Sequence, residues 1–163
     1  MKGIRDVMNQ GNKGIRKTLE KKDKIEKISH SLNDTQKIAK EFSINLNQGD
    51  IVALYGSLGS GKTFFVKEVA KLLGVESYIT SPSFTILNEY NAVLPIYHFD
   101  FYRLKNEKEI EEIGFSDFLN RKGIFFIEWP EKAEYLLPDE YIKIVFEIID
   151  KNSRKIIIYY HKC

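Results

Sequence analysis

The sequence predicts an α/β fold, a single domain with a mixed, partly antiparallel central sheet flanked by helices. Two apolar runs, at 51–55 and 124–127, have the length and composition of strands that are buried on both faces. The first run continues through several glycines into a stretch with helical spacing at 62–73, which is a strand, loop and helix order. Two further strand-like runs flank the turn residues 150–153, a pattern typical of an antiparallel hairpin.

Composition and charge divide the chain into a short arm and one domain. The 163 residues are 43% apolar, enough for one substantial core. Residues 1–27 carry nine Lys or Arg against four Asp or Glu, and glycines interrupt any helical pattern there. We therefore expect a basic, flexible arm at 1–27 and the folded domain at 28–163. The arm could contact RNA phosphates, or its lysines could simply be solvated.

Several classes of protein do not fit this composition. Apolar runs are too short for a membrane span, and the N-terminus lacks the apolar stretch of a signal peptide. The only cysteine is Cys163, so an internal disulfide is excluded and a cytoplasmic location is expected. The three histidines have no cysteine or carboxylate at ligand spacing, which argues against a structural zinc site.

The glycine-rich loop after the first apolar run has the pattern of a phosphate-binding P-loop. Its glycines let the backbone N–H groups surround a phosphate at the start of the following helix. In this pattern the lysine reaches the β and γ phosphates, and the hydroxyl that follows it binds Mg²⁺. The alternative is a plain glycine turn. The sequence therefore predicts a P-loop NTPase domain that binds ATP through Gly56, Ser57, Leu58, Gly59, Ser60, Gly61, Lys62 and Thr63.

Two carboxylates are candidates for the rest of that site. Glu128 ends the second apolar run, where ligands bind in α/β sheets, and this is the Walker B arrangement for Mg²⁺ or the attacking water. The alternative is an exposed strand end. Asp100 alternates with Phe99 and Phe101, so its side chain should point away from both rings. It could hold water and metal, or pair with Arg103.

A hydroxyl-rich loop around Pro82 follows the P-loop helix. In nucleotide hydrolases such a loop often senses the γ-phosphate, and here Ser81, Ser83 and Thr85 are the candidates for a switch-like role. The alternative is an ordinary turn between strands. Two β-rich runs come next, at 84–90 and 94–101, and they predict an antiparallel hairpin or two adjacent strands.

The ordered motifs resemble the TsaE (YjeE) family of small bacterial P-loop ATPases. They are G-x-L-G-x-G-K-T, T-S-P-S-F-T, Y-H-F-D-x-Y-R-L, E-x-x-x-x-G-F-x-D, I-E-W-P-E and L-P, within about 28–149. The resemblance implies an Mg-dependent ATPase that assists the TsaB–TsaD pair. That pair would form threonylcarbamoyladenosine next to the anticodon of tRNAs that read codons starting with A. This chain would not transfer the group itself, and its contact with tRNA would be indirect.

The resemblance also implies roles for residues. Lys62, Glu128 and Asp100 would be catalytic, and Thr63 would bind the metal together with the two carboxylates. Thr35 lies in the segment that would approach the base or ribose. Ser57 stands where family members commonly carry Asp.

Two rival functions use the same loop. A small-molecule or nucleoside kinase also combines a P-loop with a strand-end acid, but kinases usually add a lid that carries arginines. After Lys62 the chain has only three arginines, and no arginine-rich insert. The other rival is a nucleotide-dependent switch that binds partners and hardly hydrolyses ATP.

Overall fold

The computed structural model describes residues 24–160, which form one seven-stranded sheet with helices on both faces. The strands are β1 Lys24–Ser29, β2 Ile51–Tyr55, β3 Leu87–Tyr90, β4 Ile96–Asp100, β5 Ile124–Glu128, β6 Ile142–Ile148 and β7 Arg154–Tyr159. The α-helices are α1 Leu32–Ser43, α2 Lys62–Leu72, α3 Glu107–Glu112 and α4 Phe115–Leu119. Two 3₁₀ turns, Pro130–Lys132 and Glu134–Leu136, follow β5.

The sheet is parallel in its centre and antiparallel at both edges. Its strand order is β1-β7-β6-β2-β5-β4-β3. Strands β6, β2, β5 and β4 run parallel, whereas β3, β7 and β1 pair with their neighbours in the antiparallel sense. The predicted mixed sheet and both predicted hairpins are therefore confirmed. The carboxyl ends of β2, β4 and β5 meet at one edge, where ligands bind in sheets of this kind.

The two central strands are buried on both faces, as their apolar runs predict. Every residue of β2 and of β5 is buried. Val52 and Phe126 pack in the core beneath α1 and α2, whereas Ile51 and Phe125 pack in the second core against α3 and α4. The alternation along each strand thus supplies both cores, and it fixes which side chains at the strand ends point toward α2.

The first strand begins earlier than the sequence predicts. Strand β1 starts at Lys24, ahead of the predicted start of the domain at residue 28, and Ser31 caps α1 by accepting a hydrogen bond from the backbone N–H of Asp34. Lys24 to Lys27 pair with β7, so the predicted boundary between arm and domain at residue 27 falls inside a strand. The charged side chains that suggested an arm are typical of an edge strand. The rest of that arm lies outside the described residues.

The helix after the glycine-rich loop is placed as predicted, with one difference at its end. Helix α2 stops at Leu72, and Gly74 follows with φ +93°, the left-handed conformation that suits a glycine after a helix. Phe65 and Val69 are buried in the core. Leu72, in the last turn of the helix, is 48% exposed and so does not belong to that core. Within residues 24–160, no helix is long and apolar enough to cross a membrane.

Candidate functional site

The glycine-rich loop has the backbone that a phosphate cradle needs. Gly56, Gly59 and Gly61 all have positive φ, at +140°, +76° and +106°. A Cβ on Gly56 would lie 2.6 Å from the backbone oxygen of Phe146, so both conformation and space exclude a side chain there. Helix α2 begins directly after the loop, and the free backbone N–H groups at its N-terminus favour an anion.

Gly56→Ala should therefore remove the cradle. We expect nucleotide affinity to fall at least about tenfold and the free energy of unfolding to fall by about 1–3 kcal/mol, because a β-carbon must displace backbone. Gly49→Ala is the matched control: Gly49 also has positive φ, at +92°, but a β-carbon there would meet no atom within 4 Å. Chemical unfolding and a nucleotide titration measure both effects. Equal losses in the two variants would contradict the steric explanation.

Lys62 is buried at the first position of α2 and is held back against the loop. Its Nζ donates hydrogen bonds to the backbone oxygens of Gly56, at 2.6 Å, and Ser57, at 3.0 Å. The ammonium also lies 4.2 Å from the centroid of the Trp129 ring. Burial lowers the pKa of Lys62 below its ordinary value, and the charges of Glu128, Glu131 and Asp100 oppose this. The Lys62 ammonium is thus held at the loop by two backbone carbonyl oxygens, which are weaker acceptors than a phosphate oxygen.

Glu128, at the end of β5, contacts both helix α2 and strand β4 through its carboxylate. Its Oε2 accepts a hydrogen bond of 2.8 Å from the Thr63 hydroxyl, and its Oε1 lies 2.9 Å from Nε2 of His98. The side chain is almost completely buried, so the alternative of an exposed strand end is wrong. Sequence reasoning missed His98. The available signal was its spacing of two from Asp100, which places both side chains on one face of β4.

Asp100 lies directly opposite Glu128, because parallel β4 and β5 pair these two residues. Its Oδ2 accepts a short hydrogen bond from the Ser83 hydroxyl, and its Oδ1 accepts the backbone N–H of Tyr102. Arg103 instead stacks its guanidinium 3.8 Å from the centroid of the Phe84 ring. The predicted pairing of Asp100 with Arg103 is not seen among residues 24–160, and the alternative, that Asp100 holds water and metal, stays a prediction.

The hydroxyl-rich loop reaches the site through Ser83. The Ser81 hydroxyl lies 2.7 Å from the Ser83 hydroxyl, so Ser83 links it to Asp100. Thr85, predicted as part of the same set, donates its hydroxyl hydrogen bond to Asn88 and lies outside the pocket. Ile86 ends the loop with φ +67°, which is strained for a β-branched residue. Its carbonyl accepts the N–H of Asp100, so the strained turn is tied to the site.

Most of the predicted residues line one pocket of about 220 Å³ or a second one beside it, whereas Gly56, Ser57, Ser81 and Thr85 line neither of the two. The first is lined by Leu58, Gly59, Ser60, Gly61, Lys62, Thr63, Phe64, Ser83, Asp100, Tyr102, Glu128 and Trp129. The second, of about 470 Å³, shares loop residues with the first and contains Thr35. The Thr35 hydroxyl lies 2.7 Å from that of Ser29. Thr35 is therefore next to the loop but outside the pocket that holds both carboxylates.

The donor set fits magnesium only in the company of a nucleotide. Two carboxylates and one hydroxyl, from Asp100, Glu128 and Thr63, are hard oxygen ligands of the kind that Mg²⁺ prefers. Within residues 24–160, no group of three or more His, Cys, Asp or Glu side chains could hold a metal ion. Mg²⁺ typically takes one or two carboxylates and completes its shell with phosphate oxygens and water, which this arrangement permits.

The chain is similar in sequence to one family over most of the described residues. The family model described as "Threonylcarbamoyl adenosine biosynthesis protein TsaE" matches residues 29–156. A tRNA threonylcarbamoyladenosine biosynthesis protein TsaE from Rickettsia conorii is 43% identical over 130 residues, which cover 77% of this chain and 74% of that protein. A Bacillus subtilis protein of the same description is 39% identical over 124 residues, covering 76% of this chain and 77% of the relative.

A solved structure shares the fold as well. The crystal structure of Bacillus subtilis YdiB superposes with a TM-score of 0.71 at 32% sequence identity. The alignment covers 84% of this chain and 86% of that one. The single α/β domain with a mixed sheet, predicted from the sequence, is confirmed by this likeness and by the strand order.

Proposed function

The chain belongs to the TsaE family of tRNA threonylcarbamoyladenosine biosynthesis proteins, and we propose that it is an Mg-dependent ATP hydrolase that assists a TsaB–TsaD threonylcarbamoyl transferase. The modification would lie next to the anticodon of tRNAs that read codons starting with A. One observation carries the proposal: Lys62, Thr63 and Glu128 converge at the mouth of the P-loop, with Thr63 bonded to Glu128. The proposed role would place the protein in the cytoplasm, with its tRNA in contact only through the partners.

The loop would bind the phosphates of ATP. Backbone N–H groups of the six residues from Gly56 to Gly61 would surround them, aided by the N-terminus of α2. Lys62 would leave the two carbonyl oxygens that it now contacts and pair with the β and γ phosphates. The exchange is favourable because an anionic phosphate oxygen is a stronger acceptor for an ammonium than a carbonyl oxygen.

Thr63, Glu128 and Asp100 would complete the catalytic centre. Thr63 and Glu128 would hold Mg²⁺, and Asp100 would hold a water or give a second contact to the metal. When bound, the metal would neutralise charge that develops on the transferred phosphoryl group. Glu128 could orient the attacking water from its buried position, and Ser83 fixes the carboxylate of Asp100 nearby. A hydrogen bond from Ser83 to Asp100 gives the hydroxyl-rich loop a direct route by which to sense the γ-phosphate.

The second pocket would take the nucleoside part of ATP. It begins at Gly59 to Gly61, so a ligand whose phosphates lie in the loop can extend into it. Thr35 lines it from α1, and Asn152 and Arg154 line it from the turn before β7 and from that strand. Hydroxyl and amide groups of this kind suit the ribose and the edges of a base.

Exposed apolar side chains beside the first pocket, which would hold the phosphates, support the proposal of a protein partner. Leu58 and Tyr102 line that pocket and are exposed, and Phe84 is exposed in the hydroxyl-rich loop nearby. Large apolar side chains grouped at one site are typical of protein interfaces. A partner seated there would exclude water from the phosphates and could supply a cation that residues 24–160 do not place at the phosphates. The TsaB–TsaD pair is the partner that the family assignment supports.

The positions of the arginines do not support the alternative that the chain is a kinase. Arg103 stacks on Phe84 and Arg121 on Phe118, while Arg154 donates to backbone oxygens beside β7 and in the loop. A kinase needs cations that clamp the transferred phosphoryl group. The same shortage predicts slow hydrolysis by the chain alone, because no arginine of the described residues is placed as an arginine finger to stabilise the transition state.

The test is a reconstitution with purified TsaB and TsaD. We expect the chain alone to hydrolyse ATP on the order of 10⁻³ s⁻¹, as NTPases without an arginine finger do, and TsaB–TsaD to raise this at least about tenfold. Threonylcarbamoyladenosine formation on tRNA should then continue over many turnovers only when this chain and ATP are both present. If TsaB–TsaD neither bind the chain nor change its turnover, the proposed assistance is wrong. Phosphoryl transfer to a nucleoside would instead favour the kinase.

A further inference from the structure

The site contains one buried polar side chain to which the proposed mechanism gives no task, that of His98. Its ring is completely shielded from solvent, in the middle of β4. The adjacent positions in the strand, Tyr97 and Phe99, point into the apolar core on the other face. A histidine in such a place is often a core residue whose hydrogen bonds are satisfied locally. This one contacts a carboxylate of the candidate site.

The contact indicates which ring nitrogen carries the hydrogen. The metal-binding role proposed for Glu128 requires an ionised carboxylate, which only accepts hydrogen bonds, so in that role Nε2 of His98 donates to Oε1 of Glu128 across 2.9 Å. The other ring nitrogen, Nδ1, is buried and has no hydrogen-bond partner within residues 24–160. Among those residues the ring is therefore held by one hydrogen bond, and that bond is with Glu128.

The sheet register makes this contact possible. His98 pairs with Phe126, and Asp100 pairs with Glu128 two residues further along both strands. His98 and Asp100 point to the same face of β4, toward α2, so the imidazole reaches forward to the carboxylate of the neighbouring strand. The two oxygens of Glu128 then have different partners: His98 holds Oε1 inside the protein, and Thr63 contacts Oε2 at the pocket.

The geometry points to His98 as a positioning residue that holds Glu128 in orientation when Thr63 turns to a bound metal. This inference rests on the proposed function, in which Thr63 and Glu128 would both hold Mg²⁺. With the Thr63 hydroxyl turned to the metal, Glu128 would lose its present contact at Oε2 and keep the one at Oε1. His98 so prevents the carboxylate from rotating and presents Oε2 to the metal or to water, as residues behind metal ligands commonly do.

The experiment compares two substitutions of His98 with one at the next position. His98→Leu keeps a buried apolar volume and removes the donor, whereas His98→Gln keeps an N–H that can reach Glu128. Phe99→Leu is the control for lost packing, since Phe99 is equally buried but points to the opposite core. Each variant is assayed for kcat and KM, for its thermal midpoint, and for the affinity of a non-hydrolysable ATP analogue with Mg²⁺ and with EDTA.

We expect His98→Leu to lower kcat about 10- to 100-fold, the loss usual for residues that orient a metal ligand. KM should rise about tenfold, because KM approximates the dissociation constant of the nucleotide with Mg²⁺ when turnover is slow. The gain in analogue affinity on adding Mg²⁺ should shrink about tenfold, while affinity in EDTA stays as in the wild type. His98→Gln should restore most of both. Phe99→Leu should lower the thermal midpoint without altering the effect of Mg²⁺. A His98→Leu variant with wild-type kcat and Mg²⁺ response overturns the inference, as does an equal response to Phe99→Leu.

Imidazole NMR tests the contact apart from catalysis. The wild-type spectrum should show a slowly exchanging hydrogen on Nε2 of His98, whose resonance shifts or disappears in Glu128→Ala. No hydrogen on Nε2, or a resonance indifferent to Glu128→Ala, overturns the inference even if His98→Leu fails to fold. If wild-type protein neither binds nor hydrolyses ATP with Mg²⁺, the proposed function fails, and the NMR result still decides whether His98 holds Glu128.

Discussion

Replacing Lys62 with Ala should reduce ATP affinity about 10²-fold or more and leave no measurable turnover. Lys62 is the buried cation at the phosphate cradle, and removing one partner of a buried charge pair typically costs about 2–5 kcal/mol. The free protein should fold normally, because the variant also removes a desolvated ammonium whose present partners are two carbonyl oxygens and an indole face. Isothermal titration with an ATP analogue measures the loss, and chemical unfolding checks the fold.

Lys71→Ala is the matched control for this substitution. It removes the same charge from the same helix, but Lys71 is exposed and pairs only with Glu68 at the surface in the described structure. Surface pairs of this kind contribute little, so affinity should stay within about twofold. Wild-type affinity in Lys62→Ala, or a similar loss in both variants, would show that the loop does not bind phosphate through this lysine.

Replacing Glu128 with Gln should lower turnover about 10²- to 10³-fold while ATP affinity falls far less. Glutamine keeps the shape and still accepts a hydrogen bond from His98, but it lacks the negative charge needed to hold a metal or orient water. Phosphate binding depends mainly on the loop and Lys62, which the substitution leaves in place. Single-turnover kinetics, together with titration of the ATP analogue, separate the two effects.

Glu89→Gln serves as the control for the loss of a carboxylate. Glu89 lies on edge strand β3, with an exposed side chain 3.9 Å from Arg121. Its replacement should change neither turnover nor affinity by more than about twofold. Equal losses of binding and turnover in Glu128→Gln would count against a catalytic role for Glu128 and favour one in nucleotide binding alone.

Features that depend on neighbours in sequence were predictable. The strand, glycine loop and helix at 51–72 follow from an apolar run, glycine conformational freedom and helical spacing, all of which act over a few residues. The hairpin around 150–153 follows from turn chemistry between two alternating runs. Local rules also gave the position of Glu128 at a strand end, because a continuous apolar run followed by an acid is visible in the sequence alone.

Edges and loops were predicted less well, because their conformation depends on partners far away in the sequence. Strand β1 extends to Lys24 because β7, more than a hundred residues later, supplies hydrogen-bond partners. Ser83 and Thr85 have similar side chains two residues apart, yet only Ser83 reaches Asp100.

The sequence by itself determined the phosphate loop, the central strands and the acids available to the site. Only the tertiary structure decided how they meet. The parallel register of β4 and β5 sets Asp100 opposite Glu128 and brings His98 within reach of the same carboxylate. Register between parallel strands is set by packing on both faces of the sheet, and no turn joins the strands to fix it. That is the physical reason why the candidate acids could be named in advance, whereas the contact between His98 and Glu128 could not.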